Sequence, residues 1–255
     1  MYWKNFEATY QQLSSEYLKS LPISESLVEF LNEIRSLGIY KDQDEKIKKV
    51  LEMGCGTGSF TEYLAQNYNQ VVGCDISQTA IKEAQQRLNR MNNVQLKNLN
   101  ALTLGEAFPQ DSFDLVVDSH LLHHLLNQKE REIYFKALKD IVRPQGLILI
   151  ETPFLSKNNI FTEKFSLDES GILWESIDEI QNRDQYCELK VMDNSYYLPK
   201  WRLKDFLSLE DEIKKSGLVI KYFMVLENNK IIPDKDRNYS MLCDPGIVRI
   251  VASKE

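Results

Sequence analysis

The run Val50-Leu51-Glu52-Met53-Gly54-Cys55-Gly56-Thr57-Gly58-Ser59 limits what this chain can fold into more than any other stretch. Residues 49–53 read as a short buried strand, and residues from Ser59 to about Asn69 have helical periodicity. Between them glycine occupies alternate positions 54, 56 and 58. Glycine accepts positive φ and puts no Cβ in the way of a ligand, and a helix start offers unpaired N–H groups. Two glycines would suggest no more than a tight turn. Three alternating ones after a strand that ends near an acid point to a small molecule lying against the main chain. A dinucleotide fingerprint would need its third glycine at position 59, which is serine.

The rest of the chain repeats the strand-then-helix alternation. Residues 70–75, 94–101, 113–118 and 147–151 read as further strands, the last fully buried. Residues 78–91 and 130–140 read as the intervening helices, and Arg143-Pro144-Gln145-Gly146 as a turn before the fifth strand. Such alternation predicts a doubly wound, mostly parallel α/β sheet whose ligand lies outside the carboxyl ends of its strands. Glu52, Asp75, Asn100 and Ser119 all fall at such ends in different units, so one cleft should collect them. Asp75 lies 17 residues past Gly58, near the spacing at which this kind of fold sets a carboxylate on ribose hydroxyls. The same acid, or Ser77, also suits the start of the next helix.

G-x-G-x-G with an acid two positions ahead, here Glu52, resembles motif I of the class I S-adenosylmethionine-dependent methyltransferases. The resemblance spans residues 46–152 well, including Val142-Arg143-Pro144-Gln145-Gly146 ahead of strand five, and the last fifty residues loosely. It implies a seven-stranded Rossmann-like sheet with an antiparallel seventh strand, S-adenosyl-L-methionine as cofactor, and transfer of its methyl group. It implies a cofactor site of Glu52, Gly54, Cys55, Gly56, Gly58, Asp75, Ile76, Asn100, Ala101 and Ser119. In the family an acid usually touches the adenine amine where this chain has Asn100. The amide carbonyl can still accept, and a plain turn asparagine is the other reading.

All three histidines lie in Ser119-His120-Leu121-Leu122-His123-His124-Leu125, directly after the fourth strand. The run is similar to the family's L-H-H-L segment, where one histidine packs and the residues before it line the transfer site. That places Asp118, Ser119 and His120 toward cofactor and acceptor. His120 is the first candidate base and His124 the second, because imidazole titrates in the useful range. No carboxylate or cysteine completes a metal set around them, so no metal is expected.

Composition narrows the partners. With 43% hydrophobic residues in 255, the chain can bury one large core. A net charge of −7 argues against a nucleic-acid partner held through phosphates. Cysteines 55, 74, 187 and 243 have no metal or disulfide spacing and read as reduced, hence a cytoplasmic protein. No leader or apolar run near 18 residues shows, so no membrane partner is expected. The acceptor expected is a small molecule; oligomeric state is not legible.

Three segments complete the reading: an N-terminal helical segment 1–45, a core of 46–152 with 205–255, and an inserted substrate cap 153–204. Leu27, Val28, Phe30, Leu31, Ile34 and Leu37 recur at helical spacing ahead of Gly38. The cluster Tyr2, Trp3, Phe6 and Tyr10 reads as aromatics docking on the nearest helix, or as a flap over the cofactor. In the cap, Asp168, Glu169, Glu175, Asp178 and Glu179 among aromatics would suit a cationic amine. A solvated acidic face is the reading they favour. Residues 205–216 form the last helix, and 218–226 and 247–252 two closing strands, with Tyr239 and Met241 in the loop between them as possible cleft lining.

Overall fold

Apolar runs spaced by helices pair edge to edge in a computed structural model that describes residues 4–39, 49–155, 164–177, 187–192, 195–226 and 246–254. Tyr2, Trp3, Asp178, Glu179, Tyr239 and Met241 lie outside the described residues. The chain opens with α1 (Lys4–Gln12), α2 (Ser15–Ser20) and α3 (Glu25–Ser36). Then follow β1 (Lys49–Met53), α4 (Ser59–Asn67), β2 (Gln70–Asp75), α5 (Gln78–Arg87) and β3 (Val94–Asn98). Short α6 (Leu104–Ala107), β4 (Phe113–Ser119), α7 (Gln128–Ile141) and β5 (Val142–Pro153) come next. After β5 run β6 (Phe165–Leu167), β7 (Ile172–Ile177), β8 (Lys190–Met192) and β9 (Ser195–Arg202). The chain closes with α8 (Phe206–Lys215), β10 (Val219–Leu226) and β11 (Ile247–Ser253).

The main sheet has the order β3-β2-β1-β4-β5-β11-β10. β1 to β5 pair in parallel, whereas β11 is antiparallel to both β5 and β10, as the family resemblance implies. The chain leaves β1 for β2 on one side and returns to β4 on the other. That reversal opens a crevice at the carboxyl ends of β1 and β4. Period-2 alternation sorts the core onto both faces. Leu51, Met53, Val72, Val116, Ile148 and Ile150 face Tyr134, Phe135 and Leu138 of α7 and Leu209 and Ile213 of α8. Val50, Val71, Leu115, Val117 and Leu149 face α3 and α4. Each such side chain contributes about 1.5–3 kcal/mol by leaving water.

The boundaries differ where a side chain wins over periodicity. β3 stops at Asn98, whose amide donates to Asp75 O (3.1 Å) and Ile76 O (2.7 Å), and Asn100 starts a 3-10 turn instead of extending the strand. β5 begins at Val142 rather than Leu147: the expected turn is a bulge within the strand, with Gln145 at φ +64° and pairing resumed at Leu115–Leu147. α5 ends at Arg87, four residues early, and α7 starts at Gln128 because Asn127 and Glu130 form a capping box. Leu37, expected inward, is exposed at the end of α3.

A second, antiparallel sheet of order β6-β7-β9-β8 occupies the stretch between β5 and α8. Arg131 of α7, fully buried, meets the Glu212 carboxylate of α8 through Nε and Nη2 (2.8–3.1 Å). Its Nη1 donates to Leu122 O at 2.8 Å. One guanidinium thus ties two helices to the turn that carries the histidines. Among the described residues no helix is long and apolar enough to cross a membrane.

Candidate active site

The glycine loop leaves β1 at the crevice. Gly54 has φ +79°, and a Cβ there would stand 3.0 Å from Ser119 O and 3.3 Å from Leu121 Cβ. Gly56 has φ +51°, and a Cβ there would stand 3.0 Å from the Tyr10 hydroxyl. The N–H groups of Gly54 and Cys55 both donate to Cys74 O (2.8 and 3.0 Å), which locks the loop to the end of β2. Gly58 caps the start of α4 in the left-handed conformation. Burial pushes the Cys55 thiol well up, and the Glu52 and Asp75 carboxylates add to it, so this cysteine is a packed thiol.

Asp75, at the end of β2, clamps the loop. Its Oδ2 accepts from Gly56 N–H at 2.9 Å and its Oδ1 from Ser77 N–H at 2.8 Å. Burial raises its pKa while these two hydrogen bonds pull it down, and the net shift is upward. A carboxylate has about four acceptor positions, so two hydrogen bonds do not exhaust it. Ser77 caps α5 through Ala80 N–H, so an acid and a helix cap share this corner.

Glu52 is buried on the α4 side of β1, and Thr61 Oγ1 donates to its Oε2 at 2.5 Å. Burial raises its pKa to about 7 against the lowering from Thr61 and Ser119, with repulsion from Asp75 adding to the rise. A carboxyl whose folded pKa lies above its unfolded value of 4.5 costs nothing below pH 4.5. Its cost grows between pH 4.5 and about 7 and is complete above. Glu52→Gln should therefore gain stability over wild type as pH rises from 5 to 8, by roughly 2–3 kcal/mol. Urea midpoints of the two proteins across that range check this; a pH-independent difference contradicts it.

The segment after β4 separates its residues sharply. Asp118 turns inward, away from the cleft where the family comparison placed it. Its carboxylate accepts from Leu121 N–H (2.8 Å), Leu122 N–H (3.2 Å) and Tyr134 Oη (2.8 Å), so it builds the histidine turn. The Ser119 hydroxyl bonds Glu52, and its carbonyl oxygen packs against the side of Gly54 where a Cβ would stand. His120 holds φ +59° with its side chain 37% exposed, and its Nε2 lies 3.3 Å from Glu151 Oε1. His123 is the packing histidine: it is buried, edge-on to Trp201 at 5.3 Å, and burial holds its pKa well below the usual value. His124 is half-buried, with Nδ1 3.3 Å from Lys200 O and its ring 4.7 Å from that of Phe6. Burial lowers its pKa to about 4 although the Lys200 carbonyl pulls the other way, so near pH 7 it is neutral.

Beside the loop an apolar pocket is walled by Ile76, Leu99, Ala101, Leu102, Leu121 and Phe6, with Asn100 and His124 at its edge. Asn100 Oδ1 accepts from Leu102 N–H at 3.0 Å, so the amide caps its own turn while lining the pocket. Helix α1 covers the mouth. Glu7 accepts from Ser77 Oγ (2.7 Å), Thr79 Oγ1 (2.6 Å) and Thr79 N–H (3.3 Å) at the start of α5. Asn5 exchanges hydrogen bonds with the Cys187 backbone (2.8 and 3.1 Å). Phe6 thus docks on His124 and at the same time roofs the pocket, and Tyr10 is carried over Gly56. Along the sequence Tyr10 stands out only as an aromatic near a terminus, and Glu7 and Glu151 carry no local signal of their role.

The second sheet uses its acids internally. Asp168 accepts from Ser170, Ile172 and the Trp174 indole (2.8 Å), and Glu175 pairs with Lys200 (2.7 Å) and Lys164 (3.5 Å). These two carboxylates are engaged within the strand-and-turn framework, while Glu169 is exposed as the solvated-face reading expects.

A glycine loop, an acid closing β2 and an apolar pocket at one crevice of this sheet order define a nucleoside-binding α/β protein. A protein-family description of a methyltransferase domain matches residues 50–146. Over 167 residues the chain is 28% identical to malonyl-[acyl-carrier protein] O-methyltransferase 2 of Ilyobacter polytropus, covering 63% of this chain and 59% of that protein. It is 31% identical over 106 residues to cyclopropane-fatty-acyl-phospholipid synthase of Escherichia coli K12, covering 41% of this chain and 26% of that one. The chain thus spans well under two thirds of the length of these relatives. A crystal structure of an S-adenosylmethionine-dependent methyltransferase from Clostridium acetobutylicum superposes with a TM-score of 0.58 at 14% identity, covering 99% of this chain and 98% of that one. Over residues 50–146 the chain thus matches a methyltransferase domain and is similar to S-adenosylmethionine-dependent methyltransferases, whose fold the whole chain shares.

Proposed function

We propose that this protein moves the methyl group of S-adenosyl-L-methionine onto N, O or S of a small-molecule acceptor by in-line displacement, with His120 taking the acceptor's proton. What supports the reading is the glycine loop at the carboxyl end of β1, its clamp by Asp75, and the pocket lined by Ile76, Ala101 and Leu121 beside it. Bound there, the cofactor supplies an electrophilic methyl on a sulfonium whose departing thioether needs no proton. The loop, with Cys55 packed beneath it and Gly58 starting α4, accommodates the amino-acid part of the cofactor, with Glu52 and Ser119 alongside. Asp75 offers its remaining acceptor positions to the ribose hydroxyls. Ile76 and Ala101 flank the base, and Asn100 stands at its edge with the amide not fully spent on Leu102. Alignment of acceptor, methyl and sulfur supplies much of the rate, on the order of several kcal/mol. His124, neutral and held near pKa 4, is the weaker base of the two candidates. In this reading the N-terminal segment 1–45 and the inserted cap 153–204 serve acceptor choice, the core of 46–152 and 205–255 serves the cofactor, and the protein is cytoplasmic.

The experiment is incubation of the purified protein with methyl-labelled cofactor and, separately, a metabolite extract, total RNA and DNA, and a protein extract. Label entering the metabolite fraction is expected. Label confined to protein or nucleic acid overturns the small-molecule acceptor, and calorimetry showing no heat with S-adenosylhomocysteine overturns the cofactor site.

A further inference from the structure

We infer that Glu151 is the positioning residue that keeps the neutral His120 ring protonated on Nε2, leaving Nδ1 to take the acceptor's proton; this rests on the role given to His120 above. The strand register places it there: Glu151 of β5 stands opposite Ser119 of β4, one residue before His120. Glu151 is fully buried, and its two oxygens have different neighbours. Oε2 accepts from Arg249 Nε at 2.8 Å and from Ser26 Oγ at 2.8 Å. Oε1 has no hydrogen-bond partner among the described residues, and the nitrogen that faces it is His120 Nε2, at an ion-pair distance of 3.3 Å.

Arg249 is itself held. Its Nη1 meets Glu33 at 3.1 Å, and its Nη2 donates to Ser26 O at 2.9 Å and lies 3.5 Å from Glu29. A guanidinium fixed on several sides keeps Oε2 occupied and so keeps Oε1 turned to the histidine. An ionised carboxylate only accepts hydrogen bonds, so the imidazole nitrogen facing it must carry the proton. His120 meets this partner from a left-handed backbone, a conformation that costs a non-glycine residue about 1–2 kcal/mol and that surrounding contacts must hold in place.

The proton balance closes within the cleft. The acceptor X–H bond breaks as Nδ1–H forms, and X–C forms as the sulfur–methyl bond breaks with its electron pair passing to sulfur. The imidazolium then donates Nε2–H to Glu151, and the Nδ1 proton leaves to solvent.

Glu151→Gln makes a sharp test, because the amide is not symmetric. Arg249 and Ser26 are both donors and demand the amide oxygen, so the amide NH2 group turns to His120 Nε2. That nitrogen must then accept, and the proton moves to Nδ1. Long-range proton–nitrogen spectra of histidine-labelled protein, taken where imidazole is neutral and assigned with His120→Asn, read the tautomer directly. We expect Nε2–H in the wild type and Nδ1–H in Glu151→Gln. Label transfer into the metabolite extract should fall about tenfold or more with unchanged S-adenosylhomocysteine affinity, and the substitution should add nothing in a His120→Asn background.

A wild-type ring protonated on Nδ1, or split between tautomers, overturns the inference whatever the turnover, and that spectrum stands even if Glu151→Gln fails to fold. Independent losses in the double variant also overturn it. An Nε2–H ring whose removal leaves turnover unchanged overturns the base assignment and not the positioning.

Discussion

Gly54→Val abolishes the calorimetric heat of S-adenosylhomocysteine binding while leaving the far-ultraviolet circular dichroism of the protein in place. The backbone at Gly54 sits at φ +79°, where a side chain costs about 1–2 kcal/mol, and more when β-branched. The added Cβ would stand 3.0 Å from Ser119 O, a backbone atom that no rotamer change can move. Relief requires shifting either the loop or the end of β4, and each shift dismantles the cradle; overpacking of this kind costs about 1–3 kcal/mol more. The sum corresponds to a loss of roughly 30-fold to several thousand-fold in affinity. Gly105→Ala is the matched control. A Cβ there meets only Ala137 Cβ at an ordinary 3.7 Å, inside helix α6, so binding stays at the wild-type level. Binding by Gly54→Val within about threefold of wild type, a gap of under 1 kcal/mol, would show that the cofactor does not lie on this loop.

His120→Asn lowers turnover by about 10²- to 10⁴-fold and leaves cofactor affinity nearly unchanged, the range expected when a general base is lost. Asparagine is chosen over alanine because residue 120 holds φ +59°, and asparagine tolerates the left-handed region better than other side chains. His124→Asn acts differently. It removes the edge contact with Phe6 at 4.7 Å and an imidazole that lines the apolar pocket, so it weakens cofactor binding more than turnover. Rapid-quench turnover with labelled cofactor, set beside calorimetric affinity for each variant, separates the two. Equal turnover losses at both positions would remove the distinction drawn here between a base and a pocket wall.

Much of this site can be read along the chain. β1, the glycine turn and α4 follow from an apolar run, three alternating glycines and helical spacing, and the structure has them at residues 49–67. β2 and its terminal Asp75, the Ser77 cap and the helix that follows are equally local. Strand ends are a regular consequence of a parallel sheet, which is why Asp75 and Ser119 fall at strand ends as their positions suggest, whereas Glu52 is buried against α4. Asp118 misled because a β4 carboxylate beside three histidines looks like chemistry. It is instead consumed by two N–H groups of the following turn and by Tyr134, sixteen residues away.

What the sequence by itself determined is the α/β alternation, the loop that excludes a Cβ, and the residue types that end each strand, because these depend on periodicity and on backbone freedom within a few residues. Only the tertiary structure decided which polar groups are already spent. Glu151 meets Arg249 across 98 residues, and Glu33 meets the same guanidinium across 216. Tyr10 reaches Gly56, and Arg131 reaches Glu212, through the packing of helices onto the sheet. A buried charge must find its partner wherever the fold places one, and that pairing, invisible to local pattern, turned one oxygen of Glu151 toward His120 and tied Glu175 of the second sheet to Lys200.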